Sequence, residues 1–570
     1  MAAEGTANQR RNFVGPLAVA AGALLSVVLT LDAAGDYPKL FEGPGITLDE
    51  SFNVQMGVYQ WRALRDLPNF VLLLPESVDD VFGPKSNYNP DHPPLGRVWL
   101  GFWHDLVEWL FPPTDHPLNE HGVRFVTDCA RVGSATAFAL TVFLIGLLAT
   151  KWYGRVAGIV AAVSLVLMPR VFAHAHLASL ETFMNLTYSA AILSVAHWWP
   201  ARPLDLSPSE MQPPEGGTMN VSLRVVLLTS VLFGLALLTK MQAILIPPIV
   251  GLWALWHWRV RAIKPLAIFG LVGLIVFFVG WPWLWLDPLH NFREYFARTT
   301  SRAVLNCYYL GQVWKDTDVP WHYPFVMFSV TVPVGLHALG VLGCFGRACA
   351  PREQLLIAAT LFPLVLFALP GVAVYDGERL FLVSYPIWAV LIGRGADVTW
   401  HHLRQKAVDG RWRWVATPRA CGVAAILFLM AQSAGAITMH PCQLSYYNLL
   451  VGGLYGADRL GFERTYWGDS ITRSLLNSMT PQDGKRIVVV TPVLHQFQLG
   501  ELMQQSPILR NMGLKLLPEG PQNNDLADGW LCFARRADAT SEICNNRCGI
   551  GVARQGVQLS GARPPSDWLH

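Results

Sequence analysis

Residues 265–282 read PLAIFGLVGLIVFFVGWP, an apolar block without a single charged side chain. A helix needs about 20 apolar residues to cross the hydrocarbon core of a bilayer, so this block predicts a membrane-spanning helix. Similar blocks recur near residues 13–31, 130–150, 156–170, 182–199, 225–239, 242–258, 324–345, 354–374, 380–396 and 420–437. We therefore predict an all-α polytopic membrane protein with about eleven transmembrane helices.

The composition of the chain agrees with lipid as its main solvent. Of its 570 residues, 52% are hydrophobic and only 15% are charged, with a mean hydropathy of +0.32. Soluble globular proteins carry about a quarter charged residues, so the charge deficit excludes an ordinary soluble domain. The net charge of +3 is too small to indicate nucleic-acid binding.

The basic residues predict the orientation of the chain, because cytoplasmic loops are enriched in Lys and Arg. Arg10 and Arg11 precede the first block and place residues 1–12 in the cytoplasm. We interpret that block as a retained anchor, although Ala33-Ala34-Gly35 leaves cleavage possible. The most basic loop contains Arg394, Arg404, Lys406, Arg411, Arg413 and Arg419. With this topology, in a bacterial inner membrane, the segments on the outer face are 34–122, 170–181, 283–323, 375–379 and 438–570.

The sequence predicts three regions: a cytoplasmic N-terminus (1–12), a transmembrane domain (13–437) with a large first loop (34–122), and an extracytoplasmic C-terminal domain (438–570). In the last region, residues 485–491 (KRIVVVT) predict a buried strand and residues 496–505 an amphipathic helix, which indicates a small α/β domain. Four of the nine cysteines lie there: Cys442, Cys532, Cys544 and Cys548. A disulfide in an oxidising compartment is favoured over a metal pair at Cys544 and Cys548, and the pairing stays open.

Two clusters in the first loop contain residues suited to acid–base chemistry. Asp49 and Glu50 open an amphipathic segment directly after the first apolar block, where a carboxylate can accept a proton from an acceptor hydroxyl or amine. Capping of the following helix is the alternative role for this pair. Asp91 and His92 precede paired prolines that fix their backbone, and a rigid loop that starts a helix at Pro94 is the alternative.

A third cluster joins two predicted spans at residues 168–181. Glu181 opens the second span, and an acid at bilayer depth is costly unless it faces a cavity or a partner. Arg170 lies in the same segment. His174 and His176 alternate, which suits either a metal ion or, as the favoured interpretation, interfacial hydrogen bonding.

Two basic residues lie at the predicted membrane boundary. Lys240 falls between two apolar blocks, where snorkelling of its side chain is the alternative to a functional role. Arg379 begins a late span beside Asp376 and Glu378, and an ion pair with either acid is the alternative to binding a ligand. A guanidinium at that depth matches the geometry of a lipid phosphate.

Taken in this order, the segments resemble the GT-C glycosyltransferases, in particular the protein O-mannosyltransferases and the lipid A aminoarabinose transferases. The resemblance covers roughly residues 13–400. The features that carry it are Asp49-Glu50, His92-Pro93-Pro94-Leu95-Gly96, Arg170 with His174, His176 and Glu181, then Lys240 and Arg379.

The resemblance implies a polyprenyl-phosphate or dolichyl-phosphate sugar as donor and transfer with inversion. It implies Asp49 as the base, and Lys240, Arg379 and Arg170 at the donor phosphate. Glu181 stands where the family commonly has aspartate. The resemblance leaves a divalent metal open, since some related enzymes use one.

The C-terminal region also resembles bacterial family members of unknown acceptor, through the stretches 444–453 and 462–469. Tyr446, Asn448, Trp467 and Asp469 are acceptor-binding candidates, with packing of the domain as the alternative. The acceptor, a protein, a glycolipid or a cell-wall glycan, is not determined by these residues. The alternatives to an enzyme are a transporter or lipid flippase, which would be expected to show inverted repeats, and a membrane scaffold.

Overall fold

The computed structural model describes residues 2–37, 39–66, 74–84, 91–113, 116–118, 122–200, 221–300, 304–345, 350–409, 417–479, 486–492, 496–538 and 550–563. Within these ranges the chain is mostly helical, with two small sheets. The first elements are α1 (Ala2–Val28), α2 (Leu48–Arg65), α3 (Pro75–Phe82) and α4 (Leu95–Leu110). The next are α5 (Thr127–Tyr153), α6 (Arg155–Val166), α7 (Pro169–His174), α8 (Leu180–Trp198), α9 (Leu223–Leu237), α10 (Ile246–Trp258) and α11 (Ile263–Val279).

The middle of the chain adds a hairpin to the helices. Its elements are α12 (Trp283–Leu286), α13 (Pro288–Thr300), β1 (Asn306–Tyr309), β2 (Gln312–Lys315), α14 (Tyr323–Thr331), α15 (Val334–Phe345), α16 (Pro351–Phe367), α17 (Ser384–Asp409) and α18 (Pro418–Thr438). Strands β1 and β2 form an antiparallel hairpin that was not predicted from the sequence. Its turn is made by Leu310 and Gly311, both with positive φ (51° and 79°), which is the backbone that a two-residue hairpin turn requires.

The helices lie at the apolar blocks, whereas the number of spans stays a prediction. Among the described residues, two helical stretches are long and apolar enough to cross a membrane, Thr127–Tyr153 and Met241–Val279. The pair α14 and α15 is a further candidate, but it is bent by 115°. The apolar helices of 10–17 residues are Phe13–Val28, Arg155–Val166, Leu223–Leu237 and Gly422–Thr438.

The bend between α14 and α15 corrects the prediction of one uninterrupted helix over 324–345. Pro333 lies at the break, and a proline lacks the N–H that a continuous helix needs there. The Asn448 side chain donates hydrogen bonds to the carbonyl oxygens of Ser329 (2.7 Å) and Val332 (2.6 Å). The tail of the chain therefore satisfies two carbonyl groups at the break.

The C-terminal elements are α19 (Gly453–Arg459), α20 (Arg473–Asn477), β3 (Ile487–Thr491), α21 (Gln496–Gln505), α22 (Pro507–Met512), β4 (Lys515–Pro518), α23 (Pro521–Asn524), β5 (Gly529–Phe533), β6 (Ile550–Arg554) and β7 (Val557–Arg563). The predicted strand and helix are β3 and α21. The sheet has the order β4-β3-β5-β7-β6, with β3 parallel to both neighbours and β7 antiparallel to β5 and β6. Val488, Val489 and Val490 are fully buried, as expected of a central strand covered on both faces.

The segment between α18 and the sheet packs into the helical part of the molecule. Cys442, Tyr447, Leu454 and Phe462 share one hydrophobic core with the helices, whereas a second core joins the sheet to Ile46 and its neighbours in the first loop. Of the predicted disulfide cysteines, Cys442 is a buried thiol and Cys532 lies on β5. Cys544 and Cys548 lie outside the described residues, so a disulfide stays a prediction.

Candidate active site

A cavity of about 750 Å³ is lined by six of the residues that the sequence singled out. The predicted site residues that line it are Asp49, Asp91, His92, Glu181, Lys240 and Arg379. Its apolar lining is formed by Phe52, Leu180, Met241, Ile244, Leu245, Leu305, Leu366, Phe367, Ala373 and Leu380. A cavity with a few charged groups on one part of an otherwise apolar wall is typical of a site for a small amphipathic ligand.

Helix packing brings these distant segments together. Helices α2 and α4 cross at Gly57 and Gly101, where a Cβ on Gly101 would collide with the Gly57 carbonyl oxygen. The start of α4 is tied to the end of α9 by a hydrogen bond from the Leu95 N–H to the Leu238 carbonyl oxygen (3.0 Å). The start of α4 and the end of α9 therefore meet, which brings His92 and Lys240 to the same cavity.

Four charged side chains form what we call the cavity cluster: Asp49, Glu181, Lys240 and Arg379. The Lys240 ammonium donates to Glu181 Oε1 at 2.5 Å, and Arg379 Nε donates to the same oxygen at 2.6 Å. Arg379 Nη2 donates to Asp49 Oδ2. Lys240 is only 5% exposed, so its side chain does not reach out to solvent as snorkelling would require. Two cations and two carboxylates thus balance each other beside the cavity.

The two carboxylates of the cavity cluster are placed by helix starts. Asp49 lies in the first turn of α2, and Glu181 lies in the first turn of α8. Burial raises the pKa of the Asp49 carboxyl, against the lowering effect of the Arg379 guanidinium. Glu181 Oε2 is buried and has no hydrogen-bond partner. The cluster therefore keeps one acceptor oxygen unused next to the cavity.

The structure places Glu50 outside the cavity, which corrects its prediction as a catalytic residue. Its oxygens accept hydrogen bonds from Arg131 (2.7 and 2.8 Å), from the Ala178 N–H (2.7 Å) and from the Thr47 N–H (2.8 Å). Together with Thr47 it forms the capping box of α2. The capping alternative therefore describes Glu50, while its neighbour Asp49 lies in the cavity.

Asp91 and His92 lie in the cavity wall on the side of α4. Arg97 Nη2 donates to Asp91 Oδ1 at 3.0 Å, and Arg97 Nε donates to Asn53 Oδ1 at 3.3 Å. Burial lowers the pKa of His92 to about 4, so its imidazole is neutral at pH 7. Its Nδ1 is buried without a hydrogen-bond partner. This part of the wall offers polar atoms but no uncompensated cation.

Arg170 does not reach the cavity, which corrects its prediction as a phosphate-binding residue. It pairs with Glu378 at 2.6 Å, donates to the Tyr446 carbonyl oxygen at 3.0 Å, and lies 4.6 Å from the centre of the Tyr447 ring. His174 Nε2 is 3.9 Å from the same Glu378. We call Arg170, Glu378 and His174 the core cluster, because all three are buried.

The two histidines predicted as a pair have separate surroundings. The His176 ring contacts the Thr30 hydroxyl and the Phe172 carbonyl oxygen, each at 2.8 Å, whereas His174 belongs to the core cluster. In the described part of the chain, one group with metal-like spacing is formed by His104, Asp105 and Glu108. Arginines already pair with its two carboxylates, so its geometry is that of an ion-pair network.

None of the four acceptor candidates is among the residues that line the cavity. Asn448 holds the bend between α14 and α15, and Tyr446 is 7% exposed. Asp469 is buried, and its Oδ1 accepts from the Thr465 hydroxyl at 2.9 Å. Trp467 packs on Arg379 of the cavity cluster, with its ring centre 4.6 Å from the guanidinium carbon. Acceptor binding by these residues stays a prediction.

Sequence reasoning missed Arg535 and gave Asp376 only as an alternative partner of Arg379. Asp376 lies 3.6 Å from Arg379 and accepts a hydrogen bond from Arg535 at 2.9 Å. No signal in the sequence could have paired residues that are 159 positions apart.

Comparison with known proteins relates part of the chain to one family. Residues 85–289 match the family described as dolichyl-phosphate-mannose-protein mannosyltransferase, a match over less than half of the chain. It includes Asp91, His92, Glu181 and Lys240. The match agrees with the resemblance seen in the sequence: residues 85–289 are similar to a family of glycosyltransferases. It gives no support to the transporter alternative. No curated protein matches the chain in sequence.

Among solved structures, the chain is similar to ArnT from Cupriavidus metallidurans in the apo state, with 13% identity, 99% of this chain and 98% of that chain covered, and a TM-score of 0.49. It is also similar to the Archaeoglobus fulgidus oligosaccharyltransferase in the apo form, with 11% identity, 89% of this chain and 65% of that chain covered, and a TM-score of 0.42. A further match is the S. cerevisiae Pmt1-Pmt2 complex bound to the sugar donor, with 15% identity, 52% of this chain and 39% of that chain covered, and a TM-score of 0.29. TM-scores below 0.5 do not establish a common fold.

Proposed function

We propose that this chain transfers a sugar from a polyprenyl-phosphate or dolichyl-phosphate donor to an acceptor on the outer side of the membrane, with inversion at the anomeric carbon. The observation that carries the proposal is the cavity cluster, in which a carboxylate at a helix start faces two cations, the buried Lys240 and the partly exposed Arg379. A lipid-phosphate sugar needs both features: cations for the phosphate that leaves, and a base for the acceptor that attacks.

Arg379 and Lys240 are the proposed phosphate-binding residues. A planar guanidinium can donate two parallel hydrogen bonds to a phosphate, and an ammonium adds a compact positive charge. Negative charge on the phosphate grows as its bond to the anomeric carbon breaks, so these cations stabilise the transition state more than the ground state. Glu181 touches both cations and is proposed to orient them.

Asp49 is the proposed base. A phosphate that binds Arg379 competes with Asp49 for the same guanidinium, so donor binding would release the Asp49 carboxylate at the moment it is needed. The carboxylate then takes the proton from the acceptor hydroxyl or amine. The acceptor atom forms a bond to the anomeric carbon while the carbon–phosphate oxygen bond breaks, and the lipid phosphate leaves. One displacement of this kind inverts the anomeric configuration.

The proposal includes the predicted topology and domain division. Eleven spans, a cytoplasmic N-terminus and an outer C-terminal region (438–570) would place the cavity cluster at the outer boundary of a bacterial inner membrane, where a lipid phosphate lies. The apolar cavity wall beside Arg379 suits the first isoprene units of such a lipid. A reporter fused after His570 should therefore be active outside the cytoplasm.

The test is the consumption of polyprenyl-phosphate sugars by the purified protein, supplied with a membrane extract as a source of acceptors. We expect the wild type to consume at least one donor and Asp49→Asn to be slower by about 10²–10⁴-fold, the usual contribution of a general base. Asp105→Asn is the control, because Asp105 lies in the ion-pair network with Arg62. A wild type that neither consumes nor binds any of these lipids would contradict the proposal.

A further inference from the structure

The tail of the chain closes on the loop that presents Arg379 to the cavity. We call residues 374–379, between α16 and α17, the arginine loop. The Trp467 ring lies over the Arg379 guanidinium, and Trp467 Nε1 donates to Asp376 Oδ2 at 2.8 Å. Arg535, just after β5, donates to Asp376 Oδ1 at 2.9 Å. Each oxygen of Asp376 is thus bound by one residue of the tail.

Asp376 connects these tail residues to the proposed phosphate ligand. Its Oδ2 is 3.6 Å from Arg379 Nη1, on the same guanidinium that contacts Asp49 and Glu181 through Nη2 and Nε. Asp376 and the face of Trp467 therefore hold the part of Arg379 that points away from Asp49. These contacts can persist when a phosphate replaces Asp49 at Nη2.

The backbone at this junction is held in an uncommon conformation. Asp376 and Trp467 are non-glycine residues with positive φ, at 54° and 58°. Between them and the core cluster lies Gly377, with φ of 69°, where a Cβ would be 2.8 Å from Arg170 Nη1 and 3.3 Å from the Tyr466 hydroxyl. Such conformations persist only where the surroundings enforce them, and they concentrate at functional sites.

We propose that Trp467 and Arg535 are positioning residues for the donor phosphate, acting through Asp376 and the face of the Arg379 guanidinium. The inference rests on the proposed role of Arg379. It gives the C-terminal region a task in donor binding, in contrast to the acceptor binding predicted from the sequence. If the tail only packed against the helices, any contact with them would suffice. Packing would not require Trp467 and Arg535 both to donate to Asp376, the carboxylate beside Arg379.

Adjacent arginines of the tail supply a matched pair of variants. Arg535 binds Asp376, whereas Arg536 pairs with Asp458 at 2.7 Å and lies over the Tyr308 ring. The experiment measures binding of undecaprenyl phosphate to the purified full-length protein in detergent, together with the KM for the donor. We expect Arg535→Gln to weaken binding and raise KM about tenfold, as for loss of one hydrogen bond to a charged group. Arg536→Gln should bind the lipid as the wild type does.

Conservative variants separate positioning from folding. Arg535→Lys keeps the positive charge beside Asp376 and should restore much of the lipid affinity that Arg535→Gln loses. The two variants should have the same unfolding temperature. Trp467→Phe keeps an aromatic face over Arg379 but loses the indole N–H, so its affinity should fall between those of the wild type and Trp467→Ala.

Two results would overturn the inference while the proposed function stands: wild-type affinity in Arg535→Gln, or an equal loss in Arg536→Gln. A wild-type protein that does not bind undecaprenyl phosphate would overturn the proposed function and this inference with it.

Discussion

Glu378 and Arg379 are neighbours in the sequence, yet they belong to two clusters with different properties. In the core cluster, the side chains of Arg170 and Glu378 are 1% and 2% exposed. In the cavity cluster, Arg379 is 11% and Asp49 is 23% exposed, and one guanidinium is shared by two carboxylates. A closed pair serves the fold, whereas a shared and accessible cation can exchange a partner for a ligand. The adjacent acids Asp49 and Glu50 differ in the same way.

The largest expected effect separates Asp49 from Glu50. Asp49→Asn should reduce sugar transfer by about 10²–10⁴-fold and leave the unfolding temperature nearly unchanged, because Asn keeps the shape of the side chain. Glu50→Gln should instead destabilise the protein by about 3–5 kcal/mol, because it removes the nearest counter-charge of the buried Arg131 and leaves only the more distant Asp128, at 3.8 Å. Turnover and thermal unfolding in the same detergent measure both effects. If the two variants lost the same activity and had the same unfolding temperature, the predicted difference between Asp49 and Glu50 would be wrong.

The second prediction compares the two arginines. Arg379→Gln should weaken binding of a polyprenyl phosphate by about tenfold or more, since a charge-assisted contact to the phosphate is lost. Arg170→Gln should lower the unfolding temperature, because Glu378 is then buried without a cation. Lipid binding to the folded fraction of each variant distinguishes them. Normal affinity in Arg379→Gln would contradict its role as a phosphate ligand.

Part of the candidate site could be predicted from the sequence, since six of the residues it singled out line one cavity and the other eight do not. Asp49, Asp91, His92, Glu181, Lys240 and Arg379 all line one cavity, and the helices lie at the apolar blocks. It could not predict which of two adjacent residues would face the cavity. Neighbours on a helix point about 100° apart, and the facing direction depends on helix packing. From the residue types alone, either Asp49 or Glu50 could cap α2, and the contacts of Glu50 with Arg131 distinguish the two.

Two further features of the structure, one long-range and one local, could not be predicted from the sequence. The bond between Arg535 and Asp376 joins the tail to the arginine loop, and no periodicity encodes such a contact. The break at Pro333 interrupts the single helix predicted over 324–345, and Asn448, which bonds to the carbonyl groups at the break, comes from the far tail. Both cases show tertiary contacts that local patterns do not specify.

The smallest expected effect concerns Asp469, a buried acid that forms no ion pair with any described residue. Burial raises its pKa to about 7, and burial likewise raises the pKa of Glu463 to about 7. Between about pH 4 and pH 7 the folded protein therefore holds protons that the unfolded chain releases. Stability should be highest at the acid end of this window, fall as the pH rises to 7, and stay level above it.

Asp469→Asn cannot release that proton, so thermal unfolding of this variant should depend less on pH than that of the wild type. The remaining slope between about pH 4 and pH 7 would come largely from Glu463, whose oxygens accept hydrogen bonds from the backbone N–H groups of Arg464, Arg536 and Ala537. Each carboxyl can contribute up to about 1.4 kcal/mol per pH unit. Unfolding curves of wild type and variant that change in parallel with pH would show that Asp469 is ionised in the folded protein, and would place it with the paired carboxylates of the two clusters.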